Sequence, residues 1–389
     1  MSSEEARRPL HVLTLTPFFP SAEDGVTGCF VAEVIEPLTQ RNVASSVMAV
    51  SPLHYSRRVA SPSAPADWVR FPQFPGNFGL SSAGKLLYRS VLGRVRQMHA
   101  QWPIDLIHAH AALPCGHAAA LLSRRLRIPF VVTVHGLDVF NTCFTPGMAA
   151  RWRHKVSCEV YRQAATVICI SRKVEALLVA GMGDAVQTAV IHNGVDAEVF
   201  SPGPPTDPHD PIILMVGNLL KGKGHELVLR AVERMQTSHP GVQLHIIGAG
   251  PDRARFEALA AELGIQNRVR FLGRKDRAEV AEAMRACTVF ALPSRFEGLG
   301  CVYLEAMSCG KAVIACAGQG MDDIIKHGEN GWLIPVDGLD ELASGLDTLL
   351  QAPERREQIG AAARRTILDR LTLSHQAERL AGAYTAAIS

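Results

Sequence analysis

Val289-Phe-Ala-Leu-Pro-Ser-Arg-Phe-Glu-Gly-Leu-Gly-Cys-Val-Tyr-Leu-Glu-Ala-Met-Ser-Cys-Gly310 is the stretch on which the fold turns. Val289–Leu292 is an uninterrupted apolar run, as expected of a strand covered on both faces of a parallel sheet. Pro293 ends it, and a glycine-bearing turn follows. The spacing predicts a helix from about Cys301. Glu297 falls in the turn, and Glu305 lies eight residues later in the helix. Gly298 and Gly300 let the backbone, with Leu299 between them, come close to a ligand. A helix start offers N–H groups and the positive end of a dipole, which suits phosphate.

The same strand–turn–helix unit repeats outward in both directions. In the second half, Ile212–Val216, Gln243–Ile247, Val269–Leu272, Ala312–Ala315 and Gly331–Leu333 read as strands. In the first half, His11–Thr16, Val43–Val50, Ile104–His108, Phe130–Val134, Thr166–Ile170 and Ala189–His192 do. Helical patterns such as Glu226–Gln236, Arg253–Leu263 and Ala278–Arg285 alternate with them, which is β-α repetition. Ser201–Pro211 has five prolines in eleven residues and reads as an extended linker. The Pro/Ser/Gly-rich stretch of roughly 53–82 reads as a long loop. The expectation is two tandem doubly wound Rossmann-like α/β domains facing a central cleft. The first spans 1–200, the linker 201–211 and the second 212–371, with a C-terminal helix of about 372–389 packed back on the first. Ligands of such sheets bind beyond the carboxyl ends of strands.

Pro293-Ser294, then Glu297, seven intervening residues and Glu305, is a pattern that resembles glycosyltransferase family 4. The resemblance covers nearly the whole chain. It implies the GT-B fold and transfer of a sugar from a nucleotide diphosphate sugar with retention of configuration. It also implies that Glu297 holds hydroxyls of the donor sugar and that Glu305 accepts hydrogen bonds from the ribose. Val216-Gly-Asn-Leu-Leu-Lys-Gly-Lys-Gly-His225 follows a strand, and Gly217, Gly222 and Gly224 make it a close-approach loop. Lys223 places a point charge where a diphosphate gains negative charge as the glycosidic bond breaks. The family has an Arg where this chain has Asn218. Lys221 is the nearest replacement, against the competing reading of a solvated loop lysine. Gly273-Arg274-Lys275 resembles the segment lining the nucleotide base. Gly318-Gln-Gly-Met-Asp-Asp323 resembles a glycine-paired loop of the family and reads as a domain-cleft turn. Gly248-Ala-Gly-Pro251 fails the dinucleotide fingerprint, because Arg253 stands at the third glycine position; it reads as a structural turn.

In the first half, Val134-His-Gly-Leu-Asp138 carries a His-Gly-x-Asp that the family places at the catalytic site. The resemblance therefore assigns His135 to the reaction, where an imidazole donates to a sugar hydroxyl or shares the acceptor's proton. Asp138 either orients this loop or caps the next helix. Gly25 and Gly28 flank a turn before a helix near Phe30, suited to phosphate or acceptor approach. His108, His110, Cys115 and His117 look like a metal cluster but resemble the family's metal-free His-Ala-His segment. Asn193-Gly194-Val195-Asp196 resembles its inter-domain turn.

Composition narrows the class of protein. The chain has 389 residues, 47% of them hydrophobic and 20% charged, enough for sizeable cores. No apolar run approaches the ~18 residues of a membrane span, and the N-terminal stretch lacks a signal-peptide pattern. Nine scattered cysteines without a CxxC pair point to reduced thiols and a cytoplasmic location. Residues 1–200 hold 19 Lys/Arg against 14 Asp/Glu, and 201–389 hold 21 against 23, too even for a nucleic-acid face. Arg89–Arg96, Arg124–Arg127 and Arg151–Lys155 are basic stretches, open to two readings: solvated helix faces or peripheral contact with an anionic membrane surface. The expected enzyme is a retaining hexosyltransferase acting on a sugar or lipid-linked acceptor hydroxyl, needing no metal or other cofactor, in polysaccharide or glycolipid biosynthesis. The alternatives are a nucleotide-sugar epimerase or a non-catalytic sugar-nucleotide binding protein of the same fold.

Overall fold

The computed structural model describes residues 8–55, 65–74, 79–143, 147–182, 186–204 and 211–389. The chain divides into two compact units, one running to Asn193 and including Leu373–Ser389, the other Gly194–Thr372.

The first unit is built on seven parallel strands: β1 (Leu10–Thr16), β2 (Val43–Pro52), β3 (Asp67–Phe71), β4 (Leu106–His110), β5 (Phe130–Val134), β6 (Thr166–Cys169) and β7 (Thr188–Val190). Their order in the sheet is β3-β2-β1-β4-β5-β6-β7. Val12, Leu106, Val131 and Ile168 are buried from neighbouring strands into one cluster. Ala377, Leu380 and Tyr384 of the helix Leu373–Ile388 complete that cluster. Their helical spacing puts them on one face, so the end of the chain closes the core of the unit in which it began.

The second unit has six parallel strands: β8 (Ile212–Val216), β9 (Gln243–Ile247), β10 (Val269–Gly273), β11 (Val289–Ala291), β12 (Ala312–Cys316) and β13 (Trp332–Ile334). Their order is β10-β9-β8-β11-β12-β13. Each sheet therefore reverses its direction of growth once, between β1 and β4 and between β8 and β11. At such a switch point the loops diverge to opposite faces and leave a crevice at the strands' carboxyl ends. The doubly wound α/β expectation holds in both units.

Three local readings are corrected. Asp67–Phe71 is a strand paired in parallel with β2, where a loop was expected. It is an edge strand between proline-rich stretches, too mixed in polarity to stand out. The strand expected at Ile104–His108 is Leu106–His110, because Asp105 turns its carboxylate back to accept the His11 N–H at 2.9 Å. Both histidines thus lie within β4. Residues 194–200, assigned by sequence to the first domain, belong to the second unit. Val195 N–H donates to the Leu371 carbonyl, and the buried Phe200 accepts from Ser308 Oγ at 2.6 Å through its carbonyl. Of the expected linker, 205–210 lie outside the described residues, as do 56–64 and 75–78 of the expected long loop.

Candidate active site

In the second unit the two loops at the switch point meet. β8 runs into Gly217–Leu220, and a tight turn at Lys221–Lys223 leads to the helix His225–Arg234. The loop after β9 is zipped to it: Gly217 N–H donates to the Ile247 carbonyl and Leu219 N–H to that of Ala249. Gly248 sits at φ +144°, where a Cβ would lie 1.9 Å from the Gly217 carbonyl oxygen. The Gly-Ala-Gly turn is thus demanded by backbone approach. Asn218 and Lys221 are exposed; Lys221 N–H donates to Asp252 Oδ2 at 2.8 Å.

Lys223 points the other way. Its Nζ is 2.6 Å from Oε2 of Glu297, in the loop after the adjacent strand β11. The two side chains are 23% and 16% exposed, so the pair is screened by neighbours yet reachable from solvent. Glu297 is held by its backbone as well. Its N–H donates to Gln319 Oε1 at 3.2 Å and its carbonyl accepts from Gly320 N–H at 3.1 Å. The Gly318-Gln-Gly loop after β12 is therefore a brace for Glu297, a role its sequence did not reveal. Gly298 and the buried Leu299 carry the turn to Gly300, which takes φ +79° and begins the helix Cys301–Ser308.

Glu305 is buried on that helix, and its Oε1 accepts from Arg277 Nη1 at 3.1 Å. Burial pushes its carboxyl up from the ordinary range, and the Arg277 guanidinium opposes the shift. Arg277 was not singled out from sequence. Lys275 is engaged close to home: its Nζ is 2.6 Å from Glu279 Oε1, beside the Asp276–Glu279 capping box that starts the helix Arg277–Ala286. Arg274 is exposed after β10 at the sheet edge, two strands from β8.

The first unit gathers a different chemistry. His135 follows β5, and its Nε2 is 3.0 Å from His110 Nδ1, with the rings stacked 5.2 Å apart. Phe18 meets the His135 ring edge-on at 5.4 Å, and Phe30 lies 5.0 Å away. Behind His110 stands His108, bonded to Tyr384 Oη at 2.8 Å and to Thr133 Oγ1 at 2.7 Å. Burial lowers all three imidazoles, His108 to about 3 and His135 to about 4, with mutual repulsion adding to the effect at His108 and His110. All three are neutral at physiological pH. Both His108 nitrogens are occupied, and His108 and His110 of the metal look-alike stack with His135. No group of three or more His, Cys, Asp or Glu among the described residues is arranged to hold a metal ion.

Asp138 lies in the first turn of the helix Leu137–Cys143 and accepts from the N–H groups of His135, in the loop before it, and Val139 at 3.0 Å each. Burial raises its carboxyl to about 6 against those donors. It therefore fixes the loop that presents His135. A helix does start near Phe30, at Cys29, but Cys29–Ala32 and the following Ile35–Thr39 are too short for a useful dipole. Gly25 is exposed with open space around it, and Asp24 organises that loop by accepting from the N–H groups of Val26 and Thr27.

Two family models divide the chain between them. Glycosyltransferase Family 4 matches residues 30–199, and Glycosyl transferases group 1 matches 196–366. D-inositol 3-phosphate glycosyltransferase of Stackebrandtia nassauensis is 31% identical over 95% of this chain and 88% of its own length. Among solved structures, sucrose-phosphate synthase from Thermosynechococcus elongatus superposes with a TM-score of 0.77 at 22% identity, covering 96% of this chain and 98% of that one. The Anabaena protein HepE in complex with UDP and glucose gives 0.76 at 22% identity, covering 97% and 100%. The chain belongs to this family of group 1 glycosyltransferases, with the paired Rossmann-like units of the GT-B fold. It is a glycosyltransferase.

Proposed function

We propose that this enzyme transfers a hexosyl unit, with retention, from a nucleoside diphosphate sugar to a hydroxyl of a sugar or lipid-linked acceptor. The observation that carries this reading is the Lys223–Glu297 pair at the β8/β11 switch point. Lys223 and the helix start at Gly300–Cys301 take the diphosphate, whose charge rises as the glycosidic bond breaks. Glu297 accepts from hydroxyls of the donor sugar, and Glu305 from the ribose. No metal is assigned a part, since Lys223 and the helix start are the groups offered to the leaving diphosphate. His135, neutral and set among Phe18, Phe30 and His110, serves the acceptor side as hydrogen-bond partner. Retention then follows from attack on the face the diphosphate leaves, the departing phosphate oxygen taking the acceptor's proton.

The lipid-linked form of acceptor is supported by one face of the first unit. The helices Leu137–Cys143 and Met148–Gln163 pack together and expose Leu137, Phe140, Met148 and Trp152 alongside Arg151 and Lys155. Apolar and cationic side chains so mixed suit an anionic membrane interface, which would make the enzyme peripheral on the inner face. No helix among the described residues is long and apolar enough to cross a membrane.

A thermal-shift panel of UDP-, GDP- and ADP-sugars identifies the donor, and NMR of the product then reads its anomeric configuration. Stabilisation by one base series and an unchanged anomeric configuration are expected. No stabilisation by any of them, or an inverted product, overturns the reading. Interconversion of the donor without acceptor would make the enzyme an epimerase.

A further inference from the structure

Glu305 is placed where a carboxylate has difficulty staying ionised. It is buried on the helix Cys301–Ser308, and among the described residues only Oε1 accepts a side-chain bond, from Arg277. Arg277 comes from another helix, Arg277–Ala286, whose start is locked by the Asp276–Glu279 capping box. Its guanidinium lies 4.9 Å from the centroid of the Phe200 ring. Phe200 in turn accepts from Ser308, on the helix that bears Glu305. Arg277 thus lies between an aromatic face and an acid, two neighbours a guanidinium favours.

We infer that Arg277 is a positioning residue for the nucleotide: it keeps Glu305 ionised and turns the second carboxylate oxygen toward the ribose hydroxyls. This rests on the reading of Glu305 as the ribose acceptor. Two vicinal hydroxyls both donate most readily to an ionised carboxylate; a protonated one brings a competing donor. Among the described residues no other cation bonds to Glu305. Arg285 donates to the Val199 carbonyl, Arg364 to those of Phe200 and Ser308, and Lys311 lies beside Cys287 and Cys309. Burial holds Cys309, just past the end of that helix, as a neutral thiol, and Tyr303 on the helix as a neutral phenol. The charge on Glu305 therefore depends on Arg277.

The test compares calorimetric affinity for the nucleoside diphosphate that wild type binds, among UDP, GDP and ADP, with that for its 2′,3′-dideoxy counterpart. Wild type is expected to prefer the ribose form by roughly 10- to 100-fold from about pH 6 to about pH 9, the cost of losing bonds to a charged group. Glu305→Gln loses that preference at every pH. Arg277→Gln loses it at about pH 6 and recovers it toward pH 9, as the acid ionises without help. Arg277→Lys keeps it, and it bears the test alone if the glutamine variant does not fold. Full preference in Arg277→Gln at every pH, tighter nucleotide binding, or a pH-independent loss that lysine does not rescue would overturn the proposal. If wild type itself does not distinguish the two nucleotides, it is the ribose reading of Glu305 that has failed.

Discussion

Replacing Lys223 by Met removes one charge and keeps most of the side chain's length. The structure separates the two consequences. For the reaction, Lys223 is the cation aimed at the crevice from the β8 loop, and a preorganised group facing developing charge is worth about 10²–10³ in rate, or ~3–4 kcal/mol. For the fold, the loss is the 2.6 Å pair with Glu297. A fully exposed pair is worth about 0–1 kcal/mol, and stranding a fully buried partner costs about 3–5. At 16% exposure Glu297 recovers part of its hydration, so about 1–2 kcal/mol is expected, a few degrees in melting temperature. Release of nucleoside diphosphate under initial-rate conditions reads the first effect, and urea unfolding reads the second. The expected outcome is a rate at least ~100-fold lower in a protein still almost wholly folded, with partial recovery in Lys223→Arg. Turnover within about threefold of wild type, a loss of only ~0.7 kcal/mol of barrier, would refute the diphosphate role and leave Lys223 as a structural partner of Glu297.

Two further outcomes follow from the packing. In Gly300→Ala the new Cβ would lie 2.6 Å from the Tyr303 ring and 3.0 Å from Glu297 Cγ, at φ +79°. The displaced Glu297 should cost ~10-fold or more in transfer rate, and the strain about 2–4 kcal/mol in urea unfolding; unchanged kinetics would show that Glu297 does not need its place. The second outcome concerns acid. Above the unfolded histidine value of 6.5, both folded and unfolded chains hold His108, His110 and His135 neutral, and their stabilisation is fully present. Below it the unfolded chain takes up protons that the folded chain refuses, until the pH nears the folded values of about 3 for His108 and about 4 for His135. Stability should therefore fall with pH by up to ~1.4 kcal/mol per unit for each histidine. Uptake of fewer than one proton on urea unfolding at about pH 5.5 would contradict the neutral stack.

Most strands were legible because a strand covered on both faces must be apolar almost throughout, as Ile212–Val216 and, but for Thr133, Phe130–Val134 are. Asp67–Phe71 escaped because only one edge of it is paired, which relaxes that demand. The candidate residues Lys223, Glu297, Glu305 and His135 were singled out because they stand in motifs that resemble the family's, three of them in or next to turns that follow apolar runs. Their partners were not. Lys223 and Glu297 are 74 positions apart, and Tyr384 and His108 are 276 apart. Such contacts depend on sheet order, and order is decided by which faces pack, which periodicity along one segment does not record. Gln319 and Arg277 read as ordinary loop and helix residues until β12 and the helix Arg277–Ala286 are set beside the helix that carries Glu305.

Sheet order also explains why chemistry gathers twice in one chain. Each sheet reverses once, and each reversal opens its crevice where the informative residues stand: after β1 and β4, with β5 next to them, in the first unit, and after β8 and β11 in the second. What fills the crevices differs. The second holds cations set against acids in pairs, Lys223 with Glu297 and Arg277 with Glu305, the groups the proposal offers to a phosphate and to hydroxyls. The first holds neutral imidazoles against phenyl rings, which offer hydrogen bonds and apolar surface but no charge. An anionic donor requires the former, since its leaving group gains charge in the transition state. A neutral acceptor hydroxyl requires the latter, since a charged neighbour would hold water in its place. The asymmetry of charge between the two sheets is the physical ground for the proposed placement of the donor on the second unit and the acceptor on the first.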